Sequence, residues 1–223
     1  MCGRFALTLP VEAVAEWFKA EIRVGYDALR YNIAPSQMIT VAVEYEGARF
    51  LSEMRWGFIP HWYKTPNDGP FLINARGETV HEKPSFRSAF ANRRCIIPAS
   101  GSYEWHAKKG VGKEPYFVHP TSEEPMGFAG IWQAWTHPET QDRWVTAAIV
   151  TTEASDQISA IHHREPVTLL PEEFDPWLRG TPKDAQELVD AAVEGYFTSY
   201  RVGLDVNKAR HDTAGLMERL LSD

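Results

Sequence analysis

The stretch MITVAVEYEGARFLSEMRWGF, residues 38–58, decides how the chain folds. Residues 38–45 alternate and are rich in β-branched side chains, the pattern of a strand with a buried face. Glu46-Gly47 follows, a dipeptide suited to a tight turn because glycine tolerates positive φ. Residues 50–58 read as a second strand, so the segment predicts a β-hairpin. Outward from it, strand signals recur at 94–99, 101–105, 116–119, 128–135 and 144–152, with a shorter one at 167–170. Helices are fewer. Val11, Val14, Ala15 and Phe18 fall at i, i+3, i+4 and i+7 after Pro10, and 155–161 reads as a short capped helix. PEEFDPWL (171–178) and PKDAQELVDAAV (182–193) both begin with proline and early acids, which suit a helix N-terminus. RYNIAPS (30–36) and HWYKTPNDGP (61–70) read as loops. Many short strands, few helices, no repeat and no linker predict one α+β domain around an antiparallel sheet or barrel.

Composition bounds what such a domain does. The 223 residues carry a formal charge of −7, which argues against a chain-wide basic face for nucleic acid. The charge is uneven, however. Residues 81–113 hold seven basic residues (Lys83, Arg87, Arg93, Arg94, Lys108, Lys109, Lys113) against two acids, Glu82 and Glu104. That stretch is either a local basic surface or a solvated charged loop. No apolar run approaches the roughly 18 residues of a membrane span, and no leader-like segment opens the chain. Cys2 and Cys95 are the only cysteines, too few for a disulfide framework or a CxxC zinc site. The expected compartment is a reducing cytoplasm or the nucleoid within it, with no metal and no cofactor.

Five constellations carry chemistry. MCGRFA places Cys2 directly behind the initiator methionine, which is usually trimmed before a small residue. Trimming would expose an α-amine and a thiol on adjacent carbons, with reference pKa values of about 7.7–8.0 and 8.5. FLINARGETV (71–80) alternates polar Asn74, Arg76 and Glu78 with small or apolar residues. It reads as an edge strand turning at Gly77, or as an oriented amide beside an arginine that clamps oxyanions. GSYEWH (101–106) sets Glu104 between two aromatics, either paired structurally or tuned upward for acid–base work. IHHREPVTLL (161–170) carries adjacent histidines that would face opposite ways on an extended segment, so one of them suits a general acid or base. Trp56, Trp62, Tyr63 and Trp105 lie near these polar residues and suit either base stacking or core filling; Trp132, Trp135, Trp144 and Cys95 read as core.

Taken in order, MCGRFA, RYNIAPS, RWGFIPHW, INARGET, GSYEW and IHHREP resemble the SOS response-associated peptidase (SRAP) family of abasic-site processing proteins, over residues 2 to 208. The resemblance implies a single SRAP domain, residues 2–223 once Met1 is removed, with a β-barrel-like core and peripheral helices. It implies an enzyme that cross-links to abasic sites in single-stranded DNA through a Cys2 thiazolidine, with AP-lyase and autopeptidase activities alongside. Asn74 would hold the sugar oxygen or the terminal amine, Glu104 would shuttle protons, and His162 would protonate the ring oxygen. Arg4, Arg76 and Arg164 would hold phosphates, and Trp62 would wedge the DNA. The implied partner is single-stranded DNA, with no membrane, and the protein is expected to be a monomer.

Two other classes compete. Amidotransferases with an N-terminal nucleophile also begin Met-Cys-Gly, but need an αββα architecture and glutamine-pocket motifs. A non-catalytic single-strand binding module would need only the aromatics and arginines.

Overall fold

A computed structural model describes residues 2–24, 29–108, 110, 112–122 and 124–220. The chain runs through β1 (Phe5–Leu7), α1 (Val11–Phe18), β2 (Glu21–Ile22), β3 (Arg30–Ile33), β4 (Met38–Tyr45) and β5 (Ala48–Trp56). Then come β6 (Asn74–Arg76), α2 (Arg87–Asn92), β7 (Arg94–Ala99), β8 (Gly101–Lys108) and β9 (Gly112–Pro120). The long strands β10 (Met126–Thr136) and β11 (Arg143–Glu153) follow, then α3 (Asp156–Ser159), β12 (Arg164–Pro166) and β13 (Thr168–Leu169). Helices α4 (Phe174–Arg179) and α5 (Pro182–Glu187) and strand β14 (Phe197–Arg201) follow, and then two short 3-10 turns, Leu204–Asn207 and Ala214–Met217.

The hairpin forms as its sequence predicts. Glu46 and Gly47 both have positive φ (52° and 80°), the geometry of a two-residue turn whose twist matches its strands. The second strand ends at Trp56 rather than at Phe58. Gly57 turns to φ 135° and Phe58 makes only an isolated bridge to Leu72. The hairpin is one wall of a closed barrel. Strands β11, β10, β7, β4 and β5 are hydrogen-bonded in that order, and β5 closes back onto β11 in parallel through Arg55 and Trp56. This is the barrel-like α+β core expected, with helices outside it. Strand β7 is buried along its whole length because α2 and α4 cover its outer face, and the Trp177 indole donates to the Cys95 carbonyl at 2.9 Å.

A second sheet, in the order β14-β9-β8-β1-β3, carries the amino-terminal strand. Phe5 of β1 packs edge-on against Trp56 and Phe128, at 5.2 and 6.0 Å between ring centroids, and so ties this sheet to the barrel. Here the sequence expectation needs correction. Residues 30–33 are not loop but a strand pairing with β1, and β14 had no sequence signal assigned to it. The helix expected over 182–193 stops after Glu187. Buried Glu165 takes the Ala192 amide at 2.7 Å with one oxygen and the Ser155 amide and hydroxyl with the other, drawing the chain off the helical path.

Among its described side chains the basic stretch is not a continuous surface; Lys109 and the Lys108 side chain lie outside what is described. Arg94 is buried, donating to the carbonyls of Phe90, Trp177 and Gly180 at the ends of α2 and α4, where a cation suits the helix dipole. Arg93 is engaged by Ser88 and Gln133. Among the described residues no helix is long and apolar enough to cross a membrane.

Candidate active site

Four segments from different parts of the chain meet where β1 enters its sheet. Cys2, just before β1, is wholly buried, and its thiol lies 3.9 Å from the Arg4 carbonyl, a weak S–H···O contact. The Arg4 carbonyl also accepts the Tyr103 amide at 2.9 Å, which sets Cys2 beside β8 and Glu104. Strand β6 supplies Asn74, whose Nδ2 donates to the Cys2 carbonyl at 2.9 Å. The core positions that strand: the Trp56 indole donates to the Ile73 carbonyl at 2.9 Å, and β6 runs parallel to β11. Asn74 Oδ1 is buried with no hydrogen-bond partner among the described residues, an acceptor kept open in the site.

Glu104 is 2% exposed between Tyr103 and Trp105, and burial pushes its carboxyl up from 4.5 to about 7. Burial, and then the nearby Glu104 charge, push the Cys2 thiol above its ordinary range, so it is neutral at physiological pH. Glu104 opens onto a cleft of about 600 Å³ shared with Trp105, Lys113, His162 and Asn207. His162 is anchored by its Nδ1, 3.0 Å from the Arg164 amide nitrogen and 3.1 Å from the Arg164 carbonyl oxygen. Burial lowers its pKa.

The histidine pair does not follow the strand geometry assumed for it. Both residues precede β12, and their rings stack at 4.4 Å with 27° between planes instead of pointing to opposite faces. They still open onto different clefts. His163 lines a neighbouring one of about 440 Å³ with Arg76, Glu153, Ala154, Ser159 and Arg164. Arg76 is exposed there, on the same face of β6 as Asn74, while Ala75 between them points into the core. FLINARGETV is thus both a peripheral strand and a site element. Gly77, where it turns, passes so close to Val189 that a Cβ would lie 2.1 Å from its Cγ1.

The other expected DNA contacts are placed differently from Arg76. Arg4 donates through Nη1 to Asn32 Oδ1 and the Val206 carbonyl, both at 2.7 Å, so it braces the chain's last segment. Arg164 is buried and forked onto Glu78. Trp62 is 47% exposed on the loop after β5, outside the lining of both clefts. The Trp135 indole fixes that loop by donating to the Tyr63 carbonyl at 2.8 Å. Sequence reasoning missed Asn207, whose Oδ1 accepts the Trp105 indole at 2.8 Å, and Lys113 as a cleft residue. Neither sits in a recognisable motif. Among the described residues no group of three His, Cys, Asp or Glu side chains is placed to hold a metal.

Glu104 gives the site a pH signature in stability. Its folded carboxyl holds the proton more tightly than an unfolded one, so the stability present below about 4.5 is lost as pH rises through about 7. Glu104→Gln should therefore melt like the wild type near pH 4.5 and at higher temperature near pH 8, a gain of up to about 3 kcal/mol. Melting curves at the two pH values check this; equal differences at both would contradict it.

A profile of the SOS response associated peptidase (SRAP) family matches residues 1–209. The abasic site processing protein YoqW of Bacillus subtilis is 34% identical over 223 residues, spanning 98% of this chain and 99% of that one. The abasic site processing protein YedK of Escherichia coli is 30% identical over 227 residues, spanning 98% and 99%. Among solved structures, a protein from Bacteroides thetaiotaomicron superposes with a TM-score of 0.90 over 99% of this chain and 100% of its own, at 24% identity. A phage-related protein from Bordetella bronchiseptica gives 0.72 over 90% and 94%, at 30% identity.

Proposed function

The chain belongs to the SOS response-associated peptidase family, and from that premise we propose that it processes abasic sites in single-stranded DNA by bonding to them through Cys2. The observation that carries this reading is that Cys2 is buried beside Glu104, at the edge of the cleft that Glu104 lines with His162. Cys2 is held through its carbonyl by Asn74, and it lies beside a carboxyl poised near neutrality, Glu104, which shares its cleft with His162.

Removal of Met1, which lies outside the described residues, turns the Cys2 nitrogen from an amide into a primary amine. We assign the peptidase activity in the family's name to that step. As the abasic sugar opens to an aldehyde, His162 delivers a proton to the ring oxygen through Nε2, the C1′–ring oxygen bond breaks, and the C1′ hydroxyl gives its proton to water to become the carbonyl. The amine adds to the aldehyde carbon, and loss of water gives a protonated Schiff base. Sγ adds to the same carbon while the thiol proton passes to Glu104, closing a five-membered thiazolidine. A single water is released, and no oxidant is needed. Strand scission from the Schiff base, the lyase outcome, competes until the ring closes. A carboxyl with pKa about 7 is half ionised at neutral pH, so it can take a proton in one step and return it in another. Arg76 meets the phosphates, Arg4 and Arg164 support the rim, and the exposed Trp62 serves as the wedge that keeps the DNA single-stranded.

The barrel is not the αββα layering of an amidotransferase. Against a non-catalytic binding module the test is direct. Met1-free protein, verified by mass spectrometry, is mixed with a single-stranded oligonucleotide carrying one abasic site. A 1:1 adduct that survives heat and SDS is expected; its absence overturns the reading.

A further inference from the structure

We propose that Glu78 is a positioning residue for this chemistry: its carboxylate, forked onto the buried Arg164 guanidinium, ties the strand that carries Asn74 to the segment that carries His162. The inference rests on the function proposed above and adds a residue to it.

Arg164 Nη1 donates to Glu78 Oε1 at 2.5 Å and Nη2 to Oε2 at 2.9 Å, a bidentate pair. Nη2 also reaches the Thr151 carbonyl at 2.6 Å and its hydroxyl at 3.3 Å. The Arg164 side chain is 9% exposed and that of Glu78 42%, so the fork is anchored at a buried guanidinium and its carboxylate end is half open to water. The hydrogen bonds from Arg164 hold the Glu78 carboxyl below the usual carboxylate range, which keeps the pair charged.

Each end of the fork leads to a site group. The Arg164 amide and carbonyl flank His162 Nδ1 at 3.0 and 3.1 Å, so fixing Arg164 fixes the imidazole. Glu78 stands four residues after Asn74, on the turn whose Gly77 amide donates to the Thr151 carbonyl at 2.8 Å. Asn74 in turn holds the Cys2 carbonyl. Without Glu78 the guanidinium loses its counter-charge inside the fold, and the least disruptive response is for Arg164 to swing out and carry His162 with it.

The test reads His162 twice. Its imidazole is titrated by NMR in wild type, Glu78→Gln and Glu78→Asp, and single-turnover cross-linking is timed in the same proteins. The charged and titratable groups around the ring are the amino-terminal amine, His163, Lys113, Glu104 and Arg164, all unchanged in these variants. In Glu78→Gln the His162 pKa should rise back toward its ordinary value as the ring loosens into water. The cross-linking rate should fall on the order of 10²-fold, as for a displaced catalytic group. Binding to an oligonucleotide with an unreactive tetrahydrofuran at the lesion should hold, and Glu78→Asp, which keeps the charge, should recover part of both changes. An unmoved His162 titration overturns the proposal, and so does an unchanged rate. If Glu78→Gln fails to fold, Glu78→Asp alone decides by the same two readings. Should the wild type form no adduct while the titration shifts as stated, the proposed function fails and the positioning of His162 by Glu78 stands.

Discussion

Cys2→Ser protein, incubated with an abasic oligonucleotide, should give an adduct on a denaturing gel only when borohydride is present. The substitution keeps the α-amine, the Asn74 contact to the residue 2 carbonyl and the Glu104 cleft, so the Schiff base still forms. What it removes is the second nucleophile. A thiazolidine needs nitrogen and sulfur on adjacent carbons, and in a protein only an amino-terminal cysteine supplies both. The serine hydroxyl is a far poorer nucleophile toward the Schiff-base carbon, and a five-membered N,O ring reopens readily in water. The wild-type ring persists because its carbon is no longer an iminium open to hydrolysis or elimination. The thiol enters the reaction neutral, since burial and the Glu104 charge both oppose its ionisation, so closure requires that its proton be taken as the C–S bond forms. The expected loss is therefore of the whole heat-stable band. A Cys2→Ser adduct as stable as wild type without reductant would sink the ring-closure step and leave the amine as sole nucleophile.

The candidacy of Cys2 is read from six letters at the start of the chain, because an aminothiol is a local property. Local patterns served well elsewhere. The 38–56 hairpin, the apolar run of β7 and the strands β10 and β11 each declare themselves by alternation or composition, and together they close the barrel. Three misreadings of the fold share a cause, which is distance along the chain. Residues 30–33 are a strand only because β1 lies beside them. The 182–193 helix is cut short by a carboxylate 27 residues away. Arg94 looked like surface charge until the ends of two helices claimed it. The site divides in the same way. Asn74, Glu104 and His162 sit in short motifs, whereas the Arg164–Glu78 fork joins residues 86 apart and Asn207 reaches Trp105 across 102. The histidine pair fails for a different reason: the two rings precede the strand, so strand alternation never applied to them.

Glu104 and His162 should divide the proton work, and each should lose between about 10² and 10⁴ in single-turnover cross-linking when replaced, the range of a positioned general acid or base. Glu104 lies in the pH window where both of its forms are populated. The ring-closing step should therefore speed up with pH and level off above about 7, as the carboxyl ionises and can accept the thiol proton. Glu104→Gln should lose that inflection while remaining the more heat-stable protein near pH 8. It should also slow reversal of a preformed adduct, because ring opening returns a proton along the same path. His162→Ala should slow formation by removing the acid for sugar opening. It should be fastest to recover on substrates whose aldehyde is already open, since those no longer need that proton. His163→Ala is the control. His163 stacks on His162 but lines the Arg76 cleft, so its removal should loosen the neighbouring ring slightly and leave most of the rate. If His163→Ala were the slow variant and His162→Ala behaved as wild type, the imidazole at the reacting sugar would be the wrong one. The lesion would then have to enter from the Arg76 side.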